Sequence, residues 1–192
     1  MTTPTDHRSF YEAWLEREYH GEMGYLARAD SRGRRYDLSR TLEAVKSVVV
    51  VSHAYPAADD LEPDLSRAVV ARYARGRDYH DVVVPRLREL HAWIESSVGR
   101  PIEGRAYADT GPILERDLAR RAGLGWFGKN TMAIHPKRGS YWFIGSLLLD
   151  LELEPDPPFE PDHCGTCTAC LDGCPTGALL GRDENGAPVM DA

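Results

Sequence analysis

Val48-Val49-Val50-Val51, running on through Ser52-His53-Ala54 to Tyr55-Pro56, is an unbroken β-branched run with no polar alternation. Such a run reads as a buried central strand of a sheet, and a strand buried in this way needs helices packed on it. Helices are legible on both sides of it. Downstream, past an acidic loop from Pro56 to Pro63, a helix is expected over Leu65 to Tyr73. Between Asp81 and Val98, Val83, Leu87, Leu90 and Ile94 recur at spacings of four, three and four, which is one apolar stripe on a helix. Upstream, Ser9 to Ala29 has helical character, broken into two by Gly21 and Gly24. Asp30 to Arg35 (DSRGRR) reads as a polar basic connection, and Leu38 to Ala44 as a short helix. Arg105 to Ala108 reads as a short strand that runs into Asp109-Thr110-Gly111-Pro112. There, Thr110 or Gly111 suits a cap and Pro112 the first position of a helix ending at Gly123. Thr131 to Ile134 and Tyr141 to Leu149 are strand-like and are expected to form a hairpin around His135 to Gly139. The fold class is therefore α/β, or α+β.

Length and composition agree with this. A chain of 192 residues suffices for one domain with a small appendage. Its net charge of −7 makes it a poor general binder of nucleic acid, without excluding a local basic site. No apolar run is long enough for a bilayer span. The polar stretch from Met1 to Asp6 lacks a signal core, so a cytoplasmic protein without a membrane partner is expected.

After Asp150 the composition shifts: Glu152 to Asp162 holds Pro155, Pro157, Pro158 and Pro161 among acids and reads as a linker. All four cysteines follow it. Clustered so tightly, they argue for metal in a reducing compartment rather than for disulfides. Cys164, Cys167, Cys170 and Cys174-Pro175 have the C-x2-C-x2-C-x3-C-P spacing of bacterial ferredoxins, in which the fourth Cys serves another cluster. Zinc usually draws on two pairs separated by a longer loop. Cys164, Cys167 and Cys170 are expected to face a common point and Cys174 a different one.

Other motifs complete a pattern. They are Tyr19-His-Gly-Glu-Met-Gly-Tyr25, Arg72-Tyr-Ala-Arg-Gly-Arg-Asp-Tyr-His80, Asp109-Thr-Gly-Pro112 and Arg121-Ala-Gly-Leu-Gly-Trp-Phe-Gly-Lys-Asn130. Gly139-Ser-Tyr-Trp142 and Cys174-Pro-Thr-Gly-Ala-Leu179 follow. In this order they resemble the epoxyqueuosine reductases, corrinoid iron–sulfur enzymes that complete the queuosine base in tRNA. The family has a longer N-terminal region and continues past residue 192 into a second half-motif, so the chain is expected to be a fragment, inactive alone. Residues 1–151 would be the cobalamin-binding catalytic domain. Residues 152–192 would be the linker and first half of a 4Fe-4S ferredoxin-type domain.

The resemblance implies site residues. Asp109, by residue type an ordinary helix-capping carboxylate, becomes the catalytic proton donor beside cobalt, where burial near a corrinoid would raise a carboxyl pKa. Arg35, Ala71, Asp109, Ala133 and Ile144 become cofactor-binding positions, with Lys129 and Asn130 along the corrinoid edge. The neighbours Arg32, Arg34 and Arg40 suit a solvated face or tRNA phosphate. His80, alone at a helix start, reads as structural. Gly123, Gly125 and Gly128 follow a helix rather than open one, so they do not form a phosphate-binding loop. The metal ligands would be Cys164, Cys167, Cys170 and Cys174.

The implied activity is reduction of epoxyqueuosine to queuosine in tRNA. It would use cobalamin, two 4Fe-4S clusters in the full-length enzyme and an external electron donor, in a monomer. Two alternatives are a related corrinoid reductive dehalogenase and a non-catalytic iron–sulfur electron-transfer module. Asp109 is expected at the floor of the largest cleft, bounded by Arg35, Ala71, Ala133 and Ile144.

Overall fold

The structure, a computed structural model, describes residues 4–5, 7–55, 66 and 68–192. The expected acidic loop at Pro56 to Pro63 lies outside the described residues, as does part of the helix expected over Leu65 to Tyr73. The part of that helix that is described is irregular, apart from one 3-10 turn at Arg72–Ala74.

A three-stranded sheet organises the body. Its strands are β1 (Ser47–Ala54), β2 (Gly104–Tyr107) and β5 (Trp142–Leu149), in the order β1-β5-β2. Both outer strands run antiparallel to β5, with Val50 opposite Ser146 on one side and Tyr107 opposite Ser146 on the other. β1 is therefore an edge strand, which corrects the expectation of a central one. The central strand is β5, whose Leu147, Leu148 and Leu149 are fully buried. The Val48–Val51 run is apolar throughout because both faces of β1 are covered. Val49 and Val51 meet α3 (His80–Val98) through Val83 and Leu87. Val48 and Val50 face the opposite cluster, which includes Leu42, Ile113 and Leu118. The apolar stripe of α3 is as expected, and Gly99 ends the helix in the left-handed conformation, at φ 76°. α3 approaches β5 closely at Gly145, where a Cβ would press on Val83, Val51 and Leu87. The result is a mixed α/β fold.

α1 (Arg8–Glu16) buries Tyr11 and Leu15. The chain then turns without helix until α2 (Ala29–Tyr36), so the expected basic connection DSRGRR is helical instead. Its own propensity is poor, but α1 supports it. Arg32 pairs with Glu12, Arg8 lies over the Tyr36 ring at 4.9 Å, and Ser31 is buried. The short helix expected over Leu38 to Ala44 is a 3-10 turn at Leu38–Arg40.

α4 (Glu115–Arg121) packs on the face of the sheet opposite α3 and stops at Ala122-Gly123. After it come β3 (Trp126–Phe127) and β4 (Ala133–Ile134), which pair antiparallel as a separate two-stranded sheet. This corrects the expected hairpin from Thr131 to Leu149. His135 and Gly139 do close a tight loop, but the strands leaving it join different sheets. The C-terminal segment holds α5 (Ala169–Asp172) and a hairpin of β6 (Leu179–Arg182) and β7 (Pro188–Met190). It docks on the body: Trp14 Nε1 donates to the Met190 carbonyl at 2.7 Å, and Arg182 donates to the Phe127 carbonyl at 2.8 Å.

Candidate functional site

Asp109 follows the last residue of β2 by two positions, after the fully buried Ala108. Its φ is 64°, in the left-handed region that aspartate tolerates better than most residues. The side chain is exposed. Its Oδ2 accepts a hydrogen bond from the Tyr79 hydroxyl at 2.7 Å. Its backbone N–H donates to Glu115 Oε1 at 2.9 Å. This geometry overturns the helix-cap role. α4 begins only at Glu115, its capping residue is Leu114, and no side chain caps it. The carboxylate of Asp109 is committed to a phenol and not to a helix amide.

The groups around it are set by packing. The Tyr79 ring stacks on Phe143 of β5, with centroids 4.1 Å apart and planes 9° from parallel, which fixes its hydroxyl. Burial and the bond to Asp109 raise the Tyr79 pKa, so the phenol stays a donor. Glu115 is pushed up to about 7, first by burial and then by the charge of Asp109. The Asp109 amide and the charges of Arg116 and His80 oppose that shift. Tyr79 reaches Asp109 from the start of α3 and Glu115 reaches it from α4, so the two helical layers grip the loop between them.

Ala133 and Ile144 come together in one apolar cluster with Ala119 and Trp142. Phe143, which carries the Tyr79 stack, is the neighbour of Ile144 in β5. Arg116, next to Glu115, donates to the Thr131 carbonyl, two residues before Ala133. Ala71 is exposed ahead of the 3-10 turn whose Arg72 lies 5.2 Å over the Tyr141 ring. Arg35 stands apart. It donates to Ser31, lies 6.0 Å from the Tyr11 ring, and lines a small cleft with Leu38, Leu114 and Asp117. Another cleft, of about 900 Å³, runs between α1, β3, Phe159 to Asp162 and the β6–β7 hairpin. Asp109 lines neither of these two clefts. His80 pairs with Asp78 at 2.6 Å.

No cysteine forms a disulfide: Cys164, Cys170 and Cys174 are half-buried and Cys167 is exposed. Among the described residues, no three His, Cys, Asp or Glu side chains converge as metal ligands, so the expected common point for Cys164, Cys167 and Cys170 is not drawn together. The donor chemistry fits an iron–sulfur cluster nonetheless. Four free thiols lie within eleven residues. The Cys174 thiol is pulled down to about 7 by the backbone N–H of Leu179, the Thr176 hydroxyl and further backbone N–H groups. Lys129 reaches over this loop. Its Nζ donates to the carbonyls of Gly165 at 2.7 Å and Cys167 at 3.0 Å.

Comparison with known proteins agrees with these motifs. The family model described as Epoxyqueuosine reductase QueG, DUF1730 matches residues 35–110. An epoxyqueuosine reductase of Pseudomonas aeruginosa is 41% identical over 180 residues, covering 92% of this chain and 49% of that protein. The chain is similar to the epoxyqueuosine reductases over about nine tenths of its length. Two solved epoxyqueuosine reductases share its fold. One, with an epoxyqueuosine-modified tRNA-Tyr stem loop, has TM-score 0.83 and 31% identity, covering 98% of this chain and 48% of the other. The second, from Bacillus subtilis, has its catalytic aspartate loop swung out of the active site; its TM-score is 0.79 and its identity 30%, with the same coverage. The chain thus spans about half the length of the relatives it matches.

Tyr79, Glu115 and Arg116 escaped the sequence reading. Tyr79 lies within the Arg72–His80 motif but had no role assigned to it there, and Arg116 falls between two motifs with no signal of its own. Glu115 looked like any acid in the first turn of a helix. Among the described residues no helix is long and apolar enough to cross a membrane.

Proposed function

We propose that this chain supplies the proton-donor site of an enzyme that reduces epoxyqueuosine in tRNA to queuosine. The observation that carries the proposal is the presentation of Asp109, an exposed carboxylate with its backbone clamped and its Oδ2 on a tyrosine hydroxyl. The net reaction breaks both carbon–oxygen bonds of an epoxide and forms a carbon–carbon double bond. It consumes two electrons and two protons and releases water. An acid near the departing oxygen is therefore required, and a positioned carboxyl group contributes about 100- to 10,000-fold. When bound, a reduced corrinoid supplies the electron-rich metal centre for epoxide opening, and iron–sulfur clusters pass it electrons from an external donor.

The residues on hand suit those groups. Ala133 and Ile144 offer an apolar cluster with Ala119 and Trp142, Ala71 offers a small exposed position, and the four cysteines offer thiolates. Asp109 holds the proton at its carboxyl and delivers it to the oxygen, while Tyr79 orients the carboxyl. We also propose that the loop from Asp109 to Leu114 corresponds to the mobile catalytic loop of the Bacillus subtilis relative.

The test is Asp109→Asn in the cofactor-loaded full-length enzyme. Asparagine tolerates a φ of 64° and keeps the shape, but has no acidic proton. Turnover of an epoxyqueuosine stem loop is expected to fall by at least about 100-fold, with cobalamin and iron content unchanged. Wild-type turnover at full cofactor occupancy would sink the assignment.

A further inference from the structure

Among the described residues, three non-glycine residues have positive φ: Glu18, Asp109 and Thr131. Aspartate adopts this conformation at modest cost, but for a β-branched residue such as Thr131, at φ 63°, it is a strained outlier. Such conformations persist only where their surroundings hold them. Two consecutive residues in the first turn of α4 hold these two. Glu115 Oε1 accepts the Asp109 N–H at 2.9 Å, and the Arg116 guanidinium donates to the Thr131 carbonyl. One short helix therefore pins, side by side, the loop that carries Asp109 and the turn that leads into Ala133.

We infer that Glu115 is a positioning residue: its carboxyl oxygen, bonded to the Asp109 amide, holds the Asp109 loop in its reactive conformation. This rests on the assignment of Asp109 as proton donor and extends it to the group that keeps the donor in place. Tyr79 alone cannot do so, because it holds the carboxylate and leaves the backbone free to rotate. Glu115 fixes the backbone and leaves the second carboxylate oxygen available to substrate. Releasing Glu115 frees the loop to leave the site, whereas Arg116 and Thr131 remain behind as an unmoved wall. The acceptor atom matters more than its charge, because the bond to a neutral N–H needs only an oxygen lone pair.

Two variants and two readouts test this. Glu115→Ala removes the acceptor, and Glu115→Gln keeps an oxygen at the same place. In Glu115→Ala, hydrogen exchange of the peptide carrying Asp109 in the cofactor-loaded enzyme should quicken by about tenfold or more, as for loss of local closure. Its kcat should fall by about tenfold to 100-fold, with KM and cobalamin content unchanged, the size expected of a misplaced catalytic group. Glu115→Gln should stay within about twofold of wild type in both, since the hydrogen bond is retained. Unchanged exchange in Glu115→Ala overturns the inference, and so does a Glu115→Gln variant as impaired as Glu115→Ala. The exchange readout does not depend on chemistry. Faster exchange in Glu115→Ala together with full activity of Asp109→Asn would therefore place the fault in the donor assignment, and the positioning role would fall with it.

Discussion

At Asp109 the backbone and the side chain have different partners, and the Glu115 side of that arrangement leaves a measurable trace. Glu115 is half-buried beside the Asp109 charge, and its pKa is raised from 4.5 to about 7. The folded protein therefore keeps a proton that the unfolded chain has released. Linkage fixes the sign: stability from this group is fully present below about pH 4.5 and is lost as pH rises through 7. Arg116, His80, Tyr79 and Asp109 are the charged or titratable groups that face it. Asp117 acts in another window. Burial would raise its pKa, but the hydrogen bond and charge of His7 and the charge of Arg121 lower it below 3.8, so its contribution is lost only on strong acidification. Urea unfolding midpoints of the wild type should therefore drop more between pH 5 and pH 8 than those of Glu115→Gln. Parallel curves for the two proteins would show that Glu115 does not carry this proton.

At the scale of elements, close approach decides more than propensity. A Cβ at Gly125 would run into the backbone carbonyl of Ile134, where β3 and β4 begin to pair, and that oxygen cannot move aside. Gly125→Ala should destabilise the protein by about 1–3 kcal/mol, the usual cost of overpacking. It should also disorder the Trp126–Ile134 pairing, visible as faster amide exchange there and a lower melting temperature. A melting curve identical to wild type would contradict the observed packing. The same contrast explains what the sequence disclosed. The stripe on α3 and the strand β5 were legible because burial writes its period directly into residue type. The position of β1 was not. A run such as Val48–Val51 reports that both faces are covered, and says nothing about how many neighbours lie in the plane of the sheet. α2 was missed because its support comes from Glu12, Arg8 and Tyr11 on another element. β3 is two residues long, too short for any period to show. Asp109 was found through its motif, whereas its clamp depends on contacts over six residues to Glu115 and thirty to Tyr79.

At the scale of the molecule, the cysteine segment is tied to the body at both ends, and the ties bear on how it would hold a cluster. The β6–β7 hairpin is anchored by Trp14, Arg182 and the bond from the Ala192 N–H to the Tyr19 carbonyl at 2.9 Å. The loop from Cys164 to Cys167 is anchored by Lys129 alone among the contacts seen from α4–β4, through two carbonyls. Two of the loop's own amides are also engaged, the Cys164 N–H with Asp162 Oδ1 at 2.9 Å and the Cys167 N–H with the Cys164 carbonyl at 2.9 Å. Anaerobic reconstitution with iron and sulfide should load the four-cysteine segment, and a chain that takes up zinc but refuses iron and sulfide would refute the cluster. In Lys129→Met the alkyl stem remains but both hydrogen bonds are lost. A loop held by one fewer anchor opens more often, so iron should pass to a chelator about fivefold faster or more, the effect of roughly 1 kcal/mol of lost hydrogen bonding. Thermal unfolding of the α/β body should be unchanged, because the two hydrogen bonds removed both go to the loop and the alkyl stem is kept. Equal chelation rates in the two proteins would mean that the lysine bond does not limit opening of the cysteine loop.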